Sequence, residues 1–158
     1  MQLVRSGAVD RCLAGGAEAC LVSGTFRAWE VLRVMTPTLC RPFSSDRNGM
    51  VLGEGAGVFV LETYDSAKAR GAEILAELVG YGTTCDAGDL LRPDPAGAAG
   101  SMGEAIRDSG LKPEDVGYVN AHGTATVAND ITETEALRRV FGRDLKGVEM
   151  SSTKPIHG

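Results

Sequence analysis

Apolar residues recur along this chain in short runs broken by glycine and proline, and the spacing inside each run predicts an element. Arg11–Gly16 (RCLAGG) reads as a short apolar strand ending in two glycines. From Thr25 to Val34, Phe26, Trp29, Val31 and Leu32 fall at helical intervals. Residues 35–50 hold Pro37, Pro42 and the turn pair Asn48-Gly49, the composition of a long irregular loop. Val58–Leu61 and Ile74–Tyr81 predict two more strands, the second entering a turn-rich stretch at Gly82–Gly88. Between them Asp65 is expected to cap a short helix that Gly71 closes. Asp94-Pro95 opens a helix running to Gly110, with proline at the first helical position. Lys112–Asp115 predicts a helical turn, Gly117–Ala121 a strand, Asp130–Phe141 a helix closed by Gly142, and Val148–Ser152 a last strand. Asp130 and Glu133 have the spacing of a capping box. Alternating strands and helices predict an α/β domain with a mixed or parallel sheet covered by helices. Met1–Gly7 has the pattern of a helix end and the last strand stops where a helix should begin, so both ends read as cut.

Composition narrows the class. A chain of 158 residues is long enough for one domain with a real core. It is 43% hydrophobic and 23% charged, ordinary for a soluble globular protein. The net charge is −5, and no basic stretch is interleaved with aromatics, which excludes a nucleic-acid binder. No apolar run approaches the ~20 residues of a membrane span, and the N-terminus lacks the apolar core of a secretory signal. Cys12, Cys20, Cys40 and Cys85 have no CxxC spacing and only two histidines are present, so neither a metal site nor a disulfide framework is expected. A reducing cytoplasm is the expected setting. Gly53, Gly55 and Gly57 imitate a nucleotide loop. They feed a strand rather than open a helix, so close backbone packing is the better reading.

The chemistry centres on Val119–Thr126 (VNAHGTAT): a strand that stops at His122, a glycine turn with two threonine hydroxyls, and a fresh helix start at Asp130. Taken alone, His122 fits a hydrogen-bonded structural histidine. Its companions change that. AGGAEA (14–19), RPFSSDRNGMVLGEGAG (41–57), AKARGA (67–72), VGYG (79–82), YVNAHGTATVAND (118–130) and SSTK (151–154) occur in this order. Together they closely resemble the β-ketoacyl-[acyl-carrier-protein] synthases, the elongating condensing enzymes of fatty-acid and polyketide synthesis. The resemblance covers essentially the whole chain. Val127 stands where the family usually has proline after HGTxT.

The resemblance implies a thiolase-like α-β-α-β-α layered fold, here partial. Residues 1–72 would be the end of the N-terminal half and 73–158 the start of the C-terminal half. It implies a decarboxylative Claisen condensation of malonyl-carrier protein with an acyl thioester, without a cofactor, the substrates riding on the phosphopantetheine arm of acyl carrier protein. By position, His122 matches the family's first catalytic histidine and Lys154 the lysine beside it. Thr124 and Thr126 match the hydroxyls that bind pantetheine. The nucleophilic cysteine of the family would precede Met1, and its second histidine would follow Gly158. His157 stands two positions short of that place and does not inherit the role. None of the four cysteines opens a helix near the HGT turn, and the fragment is expected to be inactive alone. Expected partners are an acyl carrier protein and, at full length, a second copy, with 14–18 near that interface. Arg138, Arg139 and Arg143 offer local basic groups for the carrier, although a solvated helix face is the better reading of them. The alternative is a non-catalytic, chain-length-type partner subunit of a polyketide ketosynthase. A truncated reading frame with exposed apolar sheet surface is the third possibility.

Overall fold

The computed structural model describes residues 1–89 and 91–157. The chain forms two compact units, each made from two stretches of sequence: Met1–Glu18 with Gly55–Val79, and Ala19–Glu54 with Gly80–Gly158.

The first unit holds α1 (Gln2–Arg5), β1 (Arg11–Glu18), β2 (Gly55–Glu62) and α3 (Tyr64–Ala69). β1 and β2 pair antiparallel along their whole length, from Arg11 opposite Glu62 to Glu18 opposite Gly55. Gly55 and Gly57 therefore lie inside β2 rather than ahead of it. A Cβ on Gly15 would fall 2.2 Å from the Gly57 carbonyl oxygen, so glycine is what lets the two strands close up. The short helix α3 is capped by Thr63, whose hydroxyl accepts the Ser66 N–H at 3.3 Å, and not by Asp65 as the sequence predicts. Thr63 has the extended backbone that an N-cap needs, whereas Asp65 is already in the first turn. Gly71 closes the segment at φ +68°. Glu62, at the end of β2, accepts from Arg70 Nε at 2.8 Å, Ser66 Oγ at 2.7 Å and Arg11 Nε at 3.0 Å. Hydrogen bonding from Arg70, then from Ser66, holds its carboxyl down at about 2.

The predicted strand 74–81 forms no ladder among the described residues. An apolar run becomes a strand only when a neighbour takes its N–H and C=O groups. In the first unit, the Val79 carbonyl accepts from the Arg5 guanidinium instead.

The second unit holds α2 (Ser23–Val31), α4 (Pro95–Ser109), β3 (Tyr118–Asn120), α5 (Val127–Phe141), β4 (Glu149–Ser151) and α6 (Lys154–His157). Here Gly80 and Gly82 lie on the backbone of α4. A Cβ at either position would fall within 2.2 Å of a carbonyl oxygen of that helix, and the Tyr81 N–H between them reaches Asp108 Oδ2 at 2.9 Å. Asp94 caps α4 by accepting the Ala96 N–H at 2.8 Å, and Gly110 ends it in the left-handed conformation, both as the sequence predicts. α2 stops at Val31, short of the predicted Val34, because Arg33 turns the chain at φ +55°. The loop that follows is tied at its ends: Met50 N–H donates to the Val34 carbonyl at 2.8 Å, and Thr36 N–H to the Met50 carbonyl at 2.9 Å. β3 and β4 pair parallel, Val119 opposite Met150, and α5 packs on α4.

The core is thinner than the chain length suggests. Ala67 in the first unit and Ala121, Ala125, Ala136 and Leu137 in the second are the buried apolar residues among those described. Leu13, Val58, Phe59 and Val60 on the β1–β2 pair stand more than half exposed.

Candidate active site

β3 delivers the chain to His122. The parallel ladder with β4 runs one step past β3, through the Ala121 N–H to the Ser151 carbonyl at 2.8 Å, and the turn begins at the next residue. Gly123 bends it at φ +41° and Ala125, fully buried, at φ +63°. Space at Gly123 is closed on two sides, since a Cβ there would lie 2.4 Å from Ser152 Cβ and 2.9 Å from the Phe43 ring. Glycine is required at this point both for conformation and for room.

Two buried carboxylates of α5 hold the turn. Glu133 accepts the His122 N–H at 2.7 Å through Oε1 and the Gly123 N–H at 2.8 Å through Oε2. Asp130 accepts the Phe43 N–H at 2.8 Å and pairs with Arg47 at 3.4 Å. Neither caps its own helix, which corrects the capping box expected at Asp130. α5 starts three residues earlier, at Val127, so both side chains are free to bind other loops. Asn129 donates to both carboxylates at 3.2 Å. The loop 40–49 touches the turn at several points. Gly49 N–H donates to the Ala125 carbonyl at 3.0 Å, and the Cys40 thiol lies 3.7 Å from the Thr124 carbonyl oxygen.

The four residues singled out in the sequence lie on this turn and on the segment after β4. His122 sits at the turn's open side. Lys154 opens α6, where its cation is near enough to act on the imidazole. Burial first, and the Lys154 charge second, lower the proton affinity of His122 below the ordinary histidine range, while Glu133 and Asp130 oppose them. These influences favour the uncharged imidazole, which keeps one N–H to donate. The Thr124 and Thr126 hydroxyls hydrogen-bond each other at 2.8 Å, with Thr124 buried and Thr126 half-buried. His157 is exposed in the last turn of α6.

None of the four cysteines forms a disulfide. Burial pushes the Cys40 thiol up, so this cysteine beside the turn is a protonated thiol rather than a nucleophile. Cys12 lies in β1, and Cys85 is exposed. Among the described residues no group of three or more His, Cys, Asp and Glu side chains is placed to hold a metal ion. None of their helices is long and apolar enough to cross a membrane. Sequence reasoning misses Glu133, Asp130, Phe43 and Ser152. For Asp130 and Glu133 the signal is that two acids fall together on the buried face of α5, and for Phe43 and Ser152 it is only that they lie within the stretches 41–57 and 151–154.

The histidine turn, braced by carboxylates of the next helix, sits in a thiolase-like α/β fold, the fold of the ketosynthase structures on which this chain superposes. The description "Beta-ketoacyl synthase, N-terminal domain" matches residues 1–67, and "Beta-ketoacyl synthase, C-terminal domain" matches 75–158. The chain belongs to the β-ketoacyl synthase family. Nodulation protein E of Rhizobium sp. (strain N33) is 51% identical over 154 residues, which is 98% of this chain and 38% of that protein. The 3-oxoacyl-[acyl-carrier-protein] synthase 2 of Staphylococcus aureus is 43% identical over 164 residues, 99% of this chain and 41% of that protein. Among solved structures, the ishigamide ketosynthase/chain length factor superposes with a TM-score of 0.94 at 39% identity, covering 99% of this chain and 38% of that one. The chain thus spans about two fifths of the length of the relatives it matches.

Proposed function

We propose that this chain is part of a 3-oxoacyl-[acyl-carrier-protein] synthase and carries the half of the site that decarboxylates malonyl-carrier protein. The observation that carries the reading is the bracing of His122. Its backbone and that of Gly123 are fixed by one carboxylate, and the Lys154 cation acts against the charged form of its imidazole. In this reading the imidazole N–H donates to the malonyl thioester oxygen. The bond to the carboxylate carbon breaks, CO₂ leaves, and the electron pair collects as an enolate on that oxygen. A donor fixed before reaction stabilises this charge without reorganising. The enolate carbon then attacks an acyl thioester on an enzyme cysteine, and the thiolate departs. No cofactor is needed. Lys154 biases the ring toward its neutral form, and Thr124 and Thr126 hydrogen-bond the pantetheine arm. For the threonines this requires their mutual bond to open or to be shared.

The nucleophilic cysteine and the second histidine lie outside this chain in our reading, because none of Cys12, Cys20, Cys40 and Cys85 opens a helix beside the histidine turn and burial pushes the Cys40 thiol up. The two family descriptions, meeting between residues 67 and 75, support two halves joined near 72–73. Acyl carrier protein is the proposed partner, supported by the name of the Staphylococcus aureus relative. We place the protein in the cytoplasm, as a homodimer with 14–18 at the interface. The exposed apolar residues of β1 and β2 favour such cover. A chain-length-type subunit is the second reading, favoured by the likeness to a ketosynthase/chain length factor structure.

The test uses acyl- and malonyl-carrier protein with the 158-residue chain and with a protein extended to the family's length. The chain alone should release no 3-oxoacyl product, and the extended protein should. A purified, folded, extended protein that binds both carriers and forms no product would favour the chain-length reading.

A further inference from the structure

We infer that Ser152 is a positioning residue that sets Lys154 against the His122 turn. The inference rests on the proposed pairing of His122 with Lys154 and adds the part that fixes their separation. Ser152 follows β4, and its hydroxyl faces two ways. It donates to the Gly123 carbonyl oxygen at 2.9 Å, with the His122 carbonyl farther off at 3.5 Å. It accepts the backbone N–H of Lys154 at 3.3 Å. A serine hydroxyl has one proton and two lone pairs, so both bonds form together. One side chain therefore ties the carbonyl just after the histidine to the amide of the lysine. A Cβ added at Gly123 would fall 2.4 Å from Ser152 Cβ, so the serine side chain lies close against the bare glycine. The neighbouring hydroxyls are engaged elsewhere. Ser151 Oγ pairs with the Tyr118 hydroxyl at 2.7 Å, and Thr153 Oγ1 takes a hydrogen bond from Asn120 at 3.5 Å.

The charged groups acting on His122 are Lys154 from α6 and Glu133 and Asp130 from α5. Burial lowers the His122 pKa in every variant, and moving the lysine away removes the second lowering influence while the two carboxylates still raise it, so the titration of His122 reports the spacing that Ser152 sets. The experiment is an NMR titration of the His122 ring in the full chain, with His157→Gln leaving a single histidine signal. Lys154→Met should raise the His122 pKa by ~0.5 unit or more. Ser152→Ala should raise it by a smaller amount in the same direction. Ser151→Ala, which removes the adjacent hydroxyl, should leave it unmoved. In the Lys154→Met background Ser152→Ala should add nothing, because it acts through the lysine. Should Ser152→Ala fail to fold, Ser152→Cys keeps the volume with a weaker donor and should show a reduced rise. A His122 that moves with Lys154→Met and stays still with both Ser152 variants overturns the Ser152 inference alone. A His122 that ignores Lys154→Met overturns the pairing and the inference with it.

Discussion

Gly123 shows how one missing side chain shapes the site. Its φ of +41° is unfavourable for an L residue, and the space a Cβ would take is filled by Ser152 and Phe43. Gly123→Ala should therefore destabilise the second unit by about 2–4 kcal/mol, from backbone strain and overpacking together. Urea unfolding followed by far-UV circular dichroism would measure it, and a loss within error of zero would show that the turn relaxes freely. Motif order singles out His122, Lys154, Thr124 and Thr126 in the sequence, and the structure places them on one turn and at the start of α6. Their partners are not marked in this way. Glu133 and Asp130 have the spacing of a local cap, and only the tertiary fold shows their oxygens turned to the N–H groups of His122, Gly123 and Phe43. Nothing in the letters of a capping box tells which amide a carboxylate will choose.

At the scale of elements, local signals served well where the controlling interaction is local. Asp94, Pro95 and Gly110 mark the limits of α4 because caps act within one turn. The run 74–81 failed as a strand because pairing is decided by neighbours far away in sequence. Gly80 near its end and Gly82 just beyond it are explained instead by the backbone of α4, against which both lie. The junction of β2 with α3 is governed by Glu62, which gathers Arg70, Ser66 and Arg11. With its carboxyl held at about 2 against an ordinary 4.5, Glu62 contributes stability that is complete above about pH 4.5 and is lost as the pH falls toward about 2. Wild type should thus lose thermal stability over that window faster than Glu62→Gln, which has no such proton to take up. Parallel acid limbs in the two melting curves would show that the arginines do not stabilise the carboxylate.

Across the whole molecule, the alternation of strands and helices identified an α/β fold, and the core expected from 158 residues is the part that differs. Length predicts burial only when the apolar faces find cover within the same chain. Here Leu13, Val58, Phe59 and Val60 remain exposed on the β1–β2 pair, and the chain spans about two fifths of its relatives. The isolated chain should self-associate and bind an apolar dye, as seen by size-exclusion chromatography and fluorescence. A monomer with a sharp cooperative transition and no dye binding would contradict this. The central claim, that His122 stabilises the enolate formed from malonyl-carrier protein, is tested most directly by CO₂ release. In the protein extended to the family's length, His122→Ala should slow decarboxylation by about 10²–10³-fold while leaving the circular dichroism spectrum unchanged. Release of CO₂ at the wild-type rate from a folded His122→Ala protein would contradict the account.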